Sequence, residues 1–131
     1  MKAKIALAAA VLAGVTLVPA TAVAAPSAAV TGNYCELAGG LYICEYGVTA
    51  IYYPNSSTSD QFIIGTDWNV WERHFDGSAW SRWNSTGGRA RGAIKAYNTG
   101  TWQPYIQIPG DDGRTWQRDR FAGRWSGWYP A

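Results

Sequence analysis

From residue 34 onward, the chain alternates short runs of β-branched and aromatic residues with turn residues. Gly, Asn, Asp and Pro interrupt these runs every few residues, and no stretch has the apolar spacing of an amphipathic helix. Short strands separated by such turns predict an all-β domain. The runs predict strands at about residues 49–53, 61–65, 69–75, 79–83, 93–97, 104–108, 115–121 and 124–128.

An internal repeat groups these strands into two units. Segment 71–83 returns as segment 116–128, with a Phe-x-Gly element displaced by one position. The residues that recur 45 positions later are Trp71, Arg73, Trp80, Ser81 and Trp83. The repeat predicts two tandem four-stranded antiparallel units, at about residues 47–84 and 90–130. Residues 84–88, rich in Ser and Gly, are predicted to link them.

The first 24 residues have the features of a secretory signal peptide. Lys2 and Lys4 give a positive start, residues 5–18 form an uncharged apolar run, and Ala22-Val23-Ala24 is a small-residue cleavage site. The run is shorter than the roughly 20 residues of a membrane span. We therefore predict an extracellular protein of three parts: a signal peptide at 1–24, a flexible leader at 25–33 and a single all-β domain at 34–131.

The charge of the chain disfavours nucleic acid and anionic membranes as partners. Lys2 and Lys4 account for the whole formal net charge of +2, so that the chain without its signal peptide is neutral. A neutral domain lacks the basic surface with which proteins bind polyanions.

Two cysteines, Cys35 and Cys44, stand nine positions apart. An even count in an exported chain predicts one disulfide that closes a small loop. His74 is the only histidine, and no Cys-x-x-Cys pair is present. The sequence therefore predicts no metal site and no cofactor.

The repeated elements Trp-x-Arg, Phe-x-Gly and Trp-Ser-x-Trp resemble the blades of bacterial secreted β-propeller lectins, in particular those of insect-associated bacteria. The resemblance covers about residues 47–130, in two copies. It implies blade-like sheets, with sugar bound in shallow aromatic-lined pockets between neighbouring blades. A propeller has at least about four blades, so either several chains close one ring or the two units pack as a sandwich or barrel. Segment 34–46 has no counterpart in the repeat and is expected to cap a sheet edge.

The eight tryptophans all lie between residues 68 and 128. Aromatic residues on strands usually form the core between sheets. However, Trp80 and Trp83 lie three positions apart, as do Trp125 and Trp128, and alternation along a strand would expose one member of each pair. Exposed indoles suit the apolar face of a sugar ring, and adjacent arginines could bind its hydroxyls. The candidate ligand-binding residues, which recur in both units, are Trp71, Arg73, Trp83, Trp116, Arg118 and Trp128.

Some of these polar residues also have a structural interpretation. Arg73 and Arg118 each follow a strand tryptophan by two positions, so they lie on its face and could simply stack on an indole. Asp67 and Asp111 precede the central strand of each unit, where turn formation is the expected role.

Catalysis is disfavoured by the same repeat. A glycosidase needs two carboxyl groups across a cleft, whereas most acids here lie in turns. His74 occupies a position where the second copy has Asp119, which makes it a poor choice for an essential base. We therefore predict a non-catalytic binding protein, first of all a carbohydrate-binding lectin-like module. The alternatives are a secreted protein–protein binder (a protease inhibitor or an adaptor subunit of an exported toxin assembly) and a structural module that only forms homo-oligomers.

Overall fold

The computed structural model describes residues 33–131, which form strands and turns with no α-helix in that range. The predicted signal peptide and all of the predicted leader except Asn33 lie outside the described residues. The all-β prediction is confirmed. The strands are β1 Tyr34–Leu37, β2 Gly40–Ile43, β3 Thr49–Tyr52, β4 Ser59–Ile64, β5 Asn69–Phe75, β6 Asn84–Arg89, β7 Lys95–Tyr97, β8 Tyr105–Pro109, β9 Thr115–Phe121, β10 Arg124–Trp125 and β11 Tyr129–Pro130.

Strands β1 and β2 form an antiparallel hairpin that precedes the repeat. Cys35 and Cys44 are joined in a disulfide, as predicted, with an Sγ–Sγ distance of 2.07 Å. A single turn of 3-10 helix, Cys44–Tyr46, leads out of the hairpin. The hairpin lies beside the first sheet, where Tyr42 forms a bridge with Gly65.

The first unit is an antiparallel sheet in the order β3-β4-β5-β6. Its fourth strand differs from the prediction. The stretch 79–83 makes only a bridge between Phe75 and Trp80, and strand β6 is instead formed by Asn84–Arg89, which the sequence predicts to be a linker. Small residues that usually mark turns are tolerated here because β6 is an edge strand.

The second unit repeats this arrangement. Strands β7, β8 and β9 are antiparallel neighbours, and the short strands β10 and β11 both pair along the outer edge of β9. The registers of the two units match, since Trp71 is paired with Ile63 and Trp116 with Ile108, each 45 positions later. The predicted strand 124–128 is limited to Arg124–Trp125.

The core lies between the two sheets. Phe62 and Ile106, one from each unit, are fully buried, and the indole of Trp125 meets the ring of Phe62 edge-on at 5.3 Å. The sheets do not close into a barrel, so the packing is sandwich-like. The buried apolar cluster consists of Ile43, Ile51, Tyr53, Phe62, Ile64, Val70, Ala90, Ile94, Ile106 and Ile108.

A buried carboxylate joins the two units. Asp60 of β4 is only 5% exposed, and it accepts hydrogen bonds from the Tyr53 hydroxyl and from Trp125 Nε1 of the second unit, the latter at 3.0 Å. His74 Nδ1 lies 2.6 Å from its other oxygen. Burial, together with the hydrogen bond to Asp60, raises the pKa of Tyr53 far above its usual range, so the hydroxyl remains a donor.

No helix in residues 33–131 is long and apolar enough to cross a membrane.

Candidate functional site

Two equivalent pockets lie on the repeat. The first-unit pocket, of about 340 Å³, opens between the hairpin and the first sheet. The second-unit pocket, of about 320 Å³, opens between β6 and the second sheet. The principal residues of the first are Gly40, Ile63, Gly65, Asp67, Trp71 and Trp83, and their equivalents in the second are Gly88, Ile108, Gly110, Asp112, Trp116 and Trp128.

One indole in each pocket is fixed by a carboxylate. Trp71 Nε1 donates to Asp67 Oδ1, and Trp116 Nε1 donates to Asp112 Oδ1, both at 3.1 Å. Each carboxylate also accepts a backbone N–H two positions later, which shapes the turn before the central strand. The backbone N–H of Arg114 and the Trp116 indole lower the pKa of Asp112 to about 2. Asp112 is therefore a carboxylate throughout the physiological range.

The second indole in each pocket is fixed by the preceding structural element. Trp83 Nε1 donates to the carbonyl oxygen of Leu37 in the hairpin at 3.1 Å. Trp128 Nε1 donates to Thr86 Oγ1 in β6 at 3.0 Å. All four pocket tryptophans are half-buried, so their indole faces remain partly accessible.

Glycine backbone forms the floor beside the indoles. A Cβ atom at Gly40 would lie 2.8 Å from Trp83 Nε1, and one at Gly88 would lie 2.6 Å from Trp128 Cε2. Contacts this short do not occur between real side chains, so any larger residue would displace the indole. The two glycines therefore set the depth of the pockets.

The pockets differ in polarity at two positions of the wall. The first-unit pocket has Leu41 and Thr66, where the second-unit pocket has Arg89 and Asp111. Asp111 accepts hydrogen bonds from Arg89 Nε at 2.8 Å and from Arg91 Nε at 2.6 Å, and these bonds lower its pKa. The second-unit pocket consequently has a charged rim, whereas Leu41 is an exposed apolar side chain.

The four predicted tryptophans line these pockets, but the two predicted arginines do not. The Arg73 guanidinium lies 4.0 Å above the ring of Trp80 and donates from Nε to Gln61 Oε1 at 2.8 Å. Arg118 donates to Glu72 Oε1 at 2.5 Å and to the carbonyl oxygen of Ser126 at 2.7 Å. Both arginines therefore make structural contacts, which was the alternative interpretation of their positions.

Strand alternation, the reason given for exposing one tryptophan of each pair, does not apply. Trp83 and Trp128 lie outside the strands, so that strand alternation does not determine which way they face. None of the eight tryptophans, which all belong to the described residues, is fully buried. Hydrogen bonds of the indole N–H fix the positions of five of them: Trp71, Trp83, Trp116, Trp125 and Trp128.

Sequence reasoning missed the carboxylate of the second pocket. It assigned the turn role to Asp111, whereas the equivalent of Asp67 is Asp112, and Asp111 instead pairs with two arginines. The pattern Gly-x-Asp-x-x-x-Trp at residues 65–71, repeated at 110–116, could have identified this carboxylate and the glycine before it.

Within residues 33–131, no group of three or more His, Cys, Asp or Glu side chains is placed to hold a metal ion. Comparison of the chain with protein-family models and with curated proteins finds no match.

Proposed function

We propose that this chain is a secreted, non-catalytic carbohydrate-binding protein whose two sugar sites are the equivalent pockets. The observation that carries the proposal is the duplication of one arrangement: two half-buried indoles, one fixed carboxylate and a glycine floor. The arrangement recurs although the neighbouring wall residues differ.

The chemistry of each pocket suits a sugar ring. Pockets that bind small molecules are mostly apolar, with a few fixed polar groups, and have volumes from about 300 Å³ upward. An indole offers a flat apolar face to the C–H groups of a pyranose. Both carboxylates are held in place by the backbone. Asp67 Oδ2 already accepts a hydrogen bond from Asn69 Nδ2, and Asp112 Oδ2 accepts one from Arg114 Nε. A carboxylate oxygen has two lone pairs, so each Oδ2 atom can also accept a hydrogen bond from a sugar hydroxyl.

The same groups are poorly suited to hydrolysis. A general acid needs a raised pKa, whereas the pKa of Asp112 is lowered to about 2. The second carboxylate of the second-unit pocket, Asp111, is replaced by Thr66 in the first, so that the pair required for glycoside hydrolysis is not repeated. The imidazole of His74 contacts Asp60 instead of a pocket.

A glycan array with the purified chain is the first test, followed by calorimetry with the best-bound glycan. We expect two sites per chain. Trp71→Ala should remove the first-unit site and Trp116→Ala the second, each leaving one site, with a loss of about 1–3 kcal/mol at the altered site. If the array binds no glycan, the proposal is wrong.

Two further variants separate binding from stability. Asp67→Asn and Asp112→Asn keep the indoles and the apolar packing, so they should weaken binding while the thermal midpoint changes little. Trp102→Ala is the matched control, because Trp102 is 50% exposed and stacks on Tyr53 outside both pockets. This variant should retain both sites.

A secreted protein–protein binder is the second candidate, favoured by exposed aromatic side chains that neither pocket uses. Phe121 is 68% exposed and Tyr52 is 67% exposed. Aromatic residues of this kind are enriched at protein interfaces. In that case the array would be negative, and Phe121→Ala, rather than Trp116→Ala, would abolish binding of a protease or another secreted protein.

A further inference from the structure

The contact between the two units has a defined chemistry. From the second unit, Arg118 reaches Glu72 of the first unit at 2.5 Å, and Trp125 packs on Phe62 and donates to Asp60. The Arg118 guanidinium also lies 5.7 Å from the centre of the Trp125 ring. An arginine stacked on an indole is thus the group that the second unit presents to the first.

The first unit presents the same group on its opposite face. By the 45-residue repeat, Arg73 is equivalent to Arg118 and Trp80 to Trp125. Arg73 again stacks on its tryptophan, at 4.0 Å, and the ring of Phe75 contacts the same indole with a centroid distance of 5.2 Å. The hairpin covers only the part of this face around Trp83, so that Trp80 remains 38% exposed. In the described residues, no acidic side chain pairs with Arg73.

The second unit, in turn, has an open face equivalent to the one that receives Arg118 and Trp125. Gln117 stands where the first unit has Glu72, and Gln107 stands where it has Phe62. The side chains of Gln107 and Gln117 are hydrogen-bonded to each other at 2.7 Å. Three partly exposed tyrosines and one acid lie around them: Tyr97, Tyr105, Tyr129 and Asp119.

We propose that the partner of the Arg73–Trp80 face is a second copy of this chain, which docks its Gln107–Gln117 face there and so repeats the contact between the two units. The two faces are different and complementary, so the contact is head-to-tail, and such a contact closes into a ring when its rotation allows. Sheets that pack face to face around one axis form a closed ring of about four to eight sheets. Since each chain has two such sheets, the ring would contain about two to four copies.

The residues on the second face also determine how strong this contact is. Phe62 is replaced by Gln107, Val70 by Thr115 and Glu72 by Gln117, so the face is more polar than its counterpart inside the chain. Val70 is fully buried in the core, whereas Thr115 is exposed. The association is therefore reversible, in contrast to the permanent contact between the units.

Sedimentation velocity of the full chain over a wide concentration series is the direct test. The expected result is a single closed oligomer that dissociates to monomer on dilution. A chain that stays monomeric at the highest concentration overturns the proposal, and so does growth into open filaments of indefinite size.

Charge variants identify the faces. Arg73→Glu should weaken association by about tenfold or more, because the stacked cation is lost and Asp119 would face a like charge. Gln117→Glu restores the acid that Glu72 provides inside the chain, but Gln117 donates a hydrogen bond to Asp119 at 2.7 Å, and a carboxylate there would be repelled. The variant is therefore combined with Asp119→His, which gives the residue that the first unit has at this position, and the double variant should strengthen association. The exposed Arg114 lies at the second-unit pocket, away from both faces, so Arg114→Glu should associate like the wild type.

A rescue experiment excludes misfolding as the cause. The double variant Arg73→Glu with Gln117→Arg should recover the association that Arg73→Glu loses. If both Arg73→Glu and the double variant Gln117→Glu with Asp119→His leave the association unchanged, the contact uses other surfaces and the proposal is wrong. The inference does not depend on the sugar sites. Arg73 lies 5.1 Å from the ring of Trp83 in the first-unit pocket but is not part of the second-unit pocket, so glycan binding at the second pocket can be measured separately in the monomeric Arg73→Glu variant.

Discussion

The two pockets share their indoles, carboxylate and glycine floor, but they have different surroundings. The wall that completes the first-unit pocket comes from a disulfide-closed hairpin, and the wall that completes the second comes from strand β6 of the preceding unit. Trp83 accordingly binds a backbone carbonyl, whereas Trp128 binds a threonine hydroxyl. Two unrelated backbone segments thus support the same arrangement of side chains.

This difference distinguishes the residues that determine the shape of a pocket from those that change only the chemistry of its rim. Gly40 and Gly88 are retained because a Cβ atom would collide with an indole. Leu41 and Arg89 occupy one position of the rim with opposite chemistry, so under the proposed function we expect this position to affect which ligand is favoured. Four predictions test the comparison of the two units, in order of decreasing effect.

The largest effect is expected at an acid that only the first unit has. Asp60→Ala removes the acceptor of Tyr53 and Trp125, and it leaves the buried Tyr53 hydroxyl and the half-buried Trp125 N–H without this partner. Breaking a buried network of this kind costs about 3–5 kcal/mol. The free energy of unfolding, measured with denaturant, should fall by this amount and both pockets should lose binding.

The matched control is Asp111→Ala, which removes the acid that only the second unit has. Asp111 is exposed, so solvent screens its pairs with Arg89 and Arg91 and their loss should change the free energy of unfolding little. Equal destabilisation by the two variants would show that Asp60 does not hold the units together.

The glycine floor gives the next largest effect. Gly88→Ala and Gly40→Ala should each cost about 1–3 kcal/mol of stability, because the added methyl group displaces Trp128 or Trp83. Each variant should also eliminate binding at its own pocket only, as judged by the number of sites in calorimetry. Gly127→Ala is the control, since a Cβ atom there has no neighbour within 4 Å. A pocket that still binds after its glycine is replaced would contradict the role of the floor.

Exchanging the rim residues should alter preference without affecting stability. Leu41→Arg should make the first-unit pocket favour glycans that carry a carboxylate, by about tenfold, because arginine binds carboxylates in a bidentate manner. Arg89→Leu should reduce any such preference in the second. The ratio of acidic to neutral glycan binding on the array measures both effects. An unchanged ratio in both variants would mean that the rim does not contact the ligand.

The smallest effect concerns pH. The pKa of Asp112 is lowered to about 2, so its contribution to the pocket is complete above the ordinary carboxyl value and is lost only as the pH falls towards 2. Glycan binding to a Trp71→Ala chain, which retains only the second-unit pocket, should therefore be constant from neutral pH down to about pH 4. A decline centred on the ordinary pKa of a carboxyl group would show that Asp112 is not held by its hydrogen bonds.

The sequence predicts much of the fold because the repeat has a strong pattern. Alternating apolar runs define most of the strands, and the 45-residue spacing makes Trp71 and Trp116 equivalent, as their matching registers confirm. Strand β6 could not be predicted, because its Ser, Thr and Gly composition is typical of turns. Its place in the sheet depends on pairing with Trp71 and Glu72, which is a non-local property.

The candidate site could be predicted only in part. The four tryptophans follow from the repeat. The direction of each indole, however, depends on the acceptor of its N–H, and for Trp83 this is the carbonyl oxygen of Leu37, 46 positions away along the chain. The sequence could not distinguish two roles for Arg73 and Arg118, because stacking on a neighbouring indole and contact with a ligand require the same sequence spacing. Gly40 and Gly88 lie next to Trp83 and Trp128 in space but far from them along the chain, so no local sequence pattern relates each glycine to its tryptophan.

The disulfide between Cys35 and Cys44 has a consequence for valency. It closes the hairpin that supplies Gly40 and Leu41 to the first-unit pocket, whereas the second-unit pocket takes no residue from that hairpin. Reduction would therefore loosen one pocket and spare the other. A chain that is bivalent in an oxidising compartment would become monovalent in a reducing one, and it would lose the avidity gained by engaging two ligands on one surface.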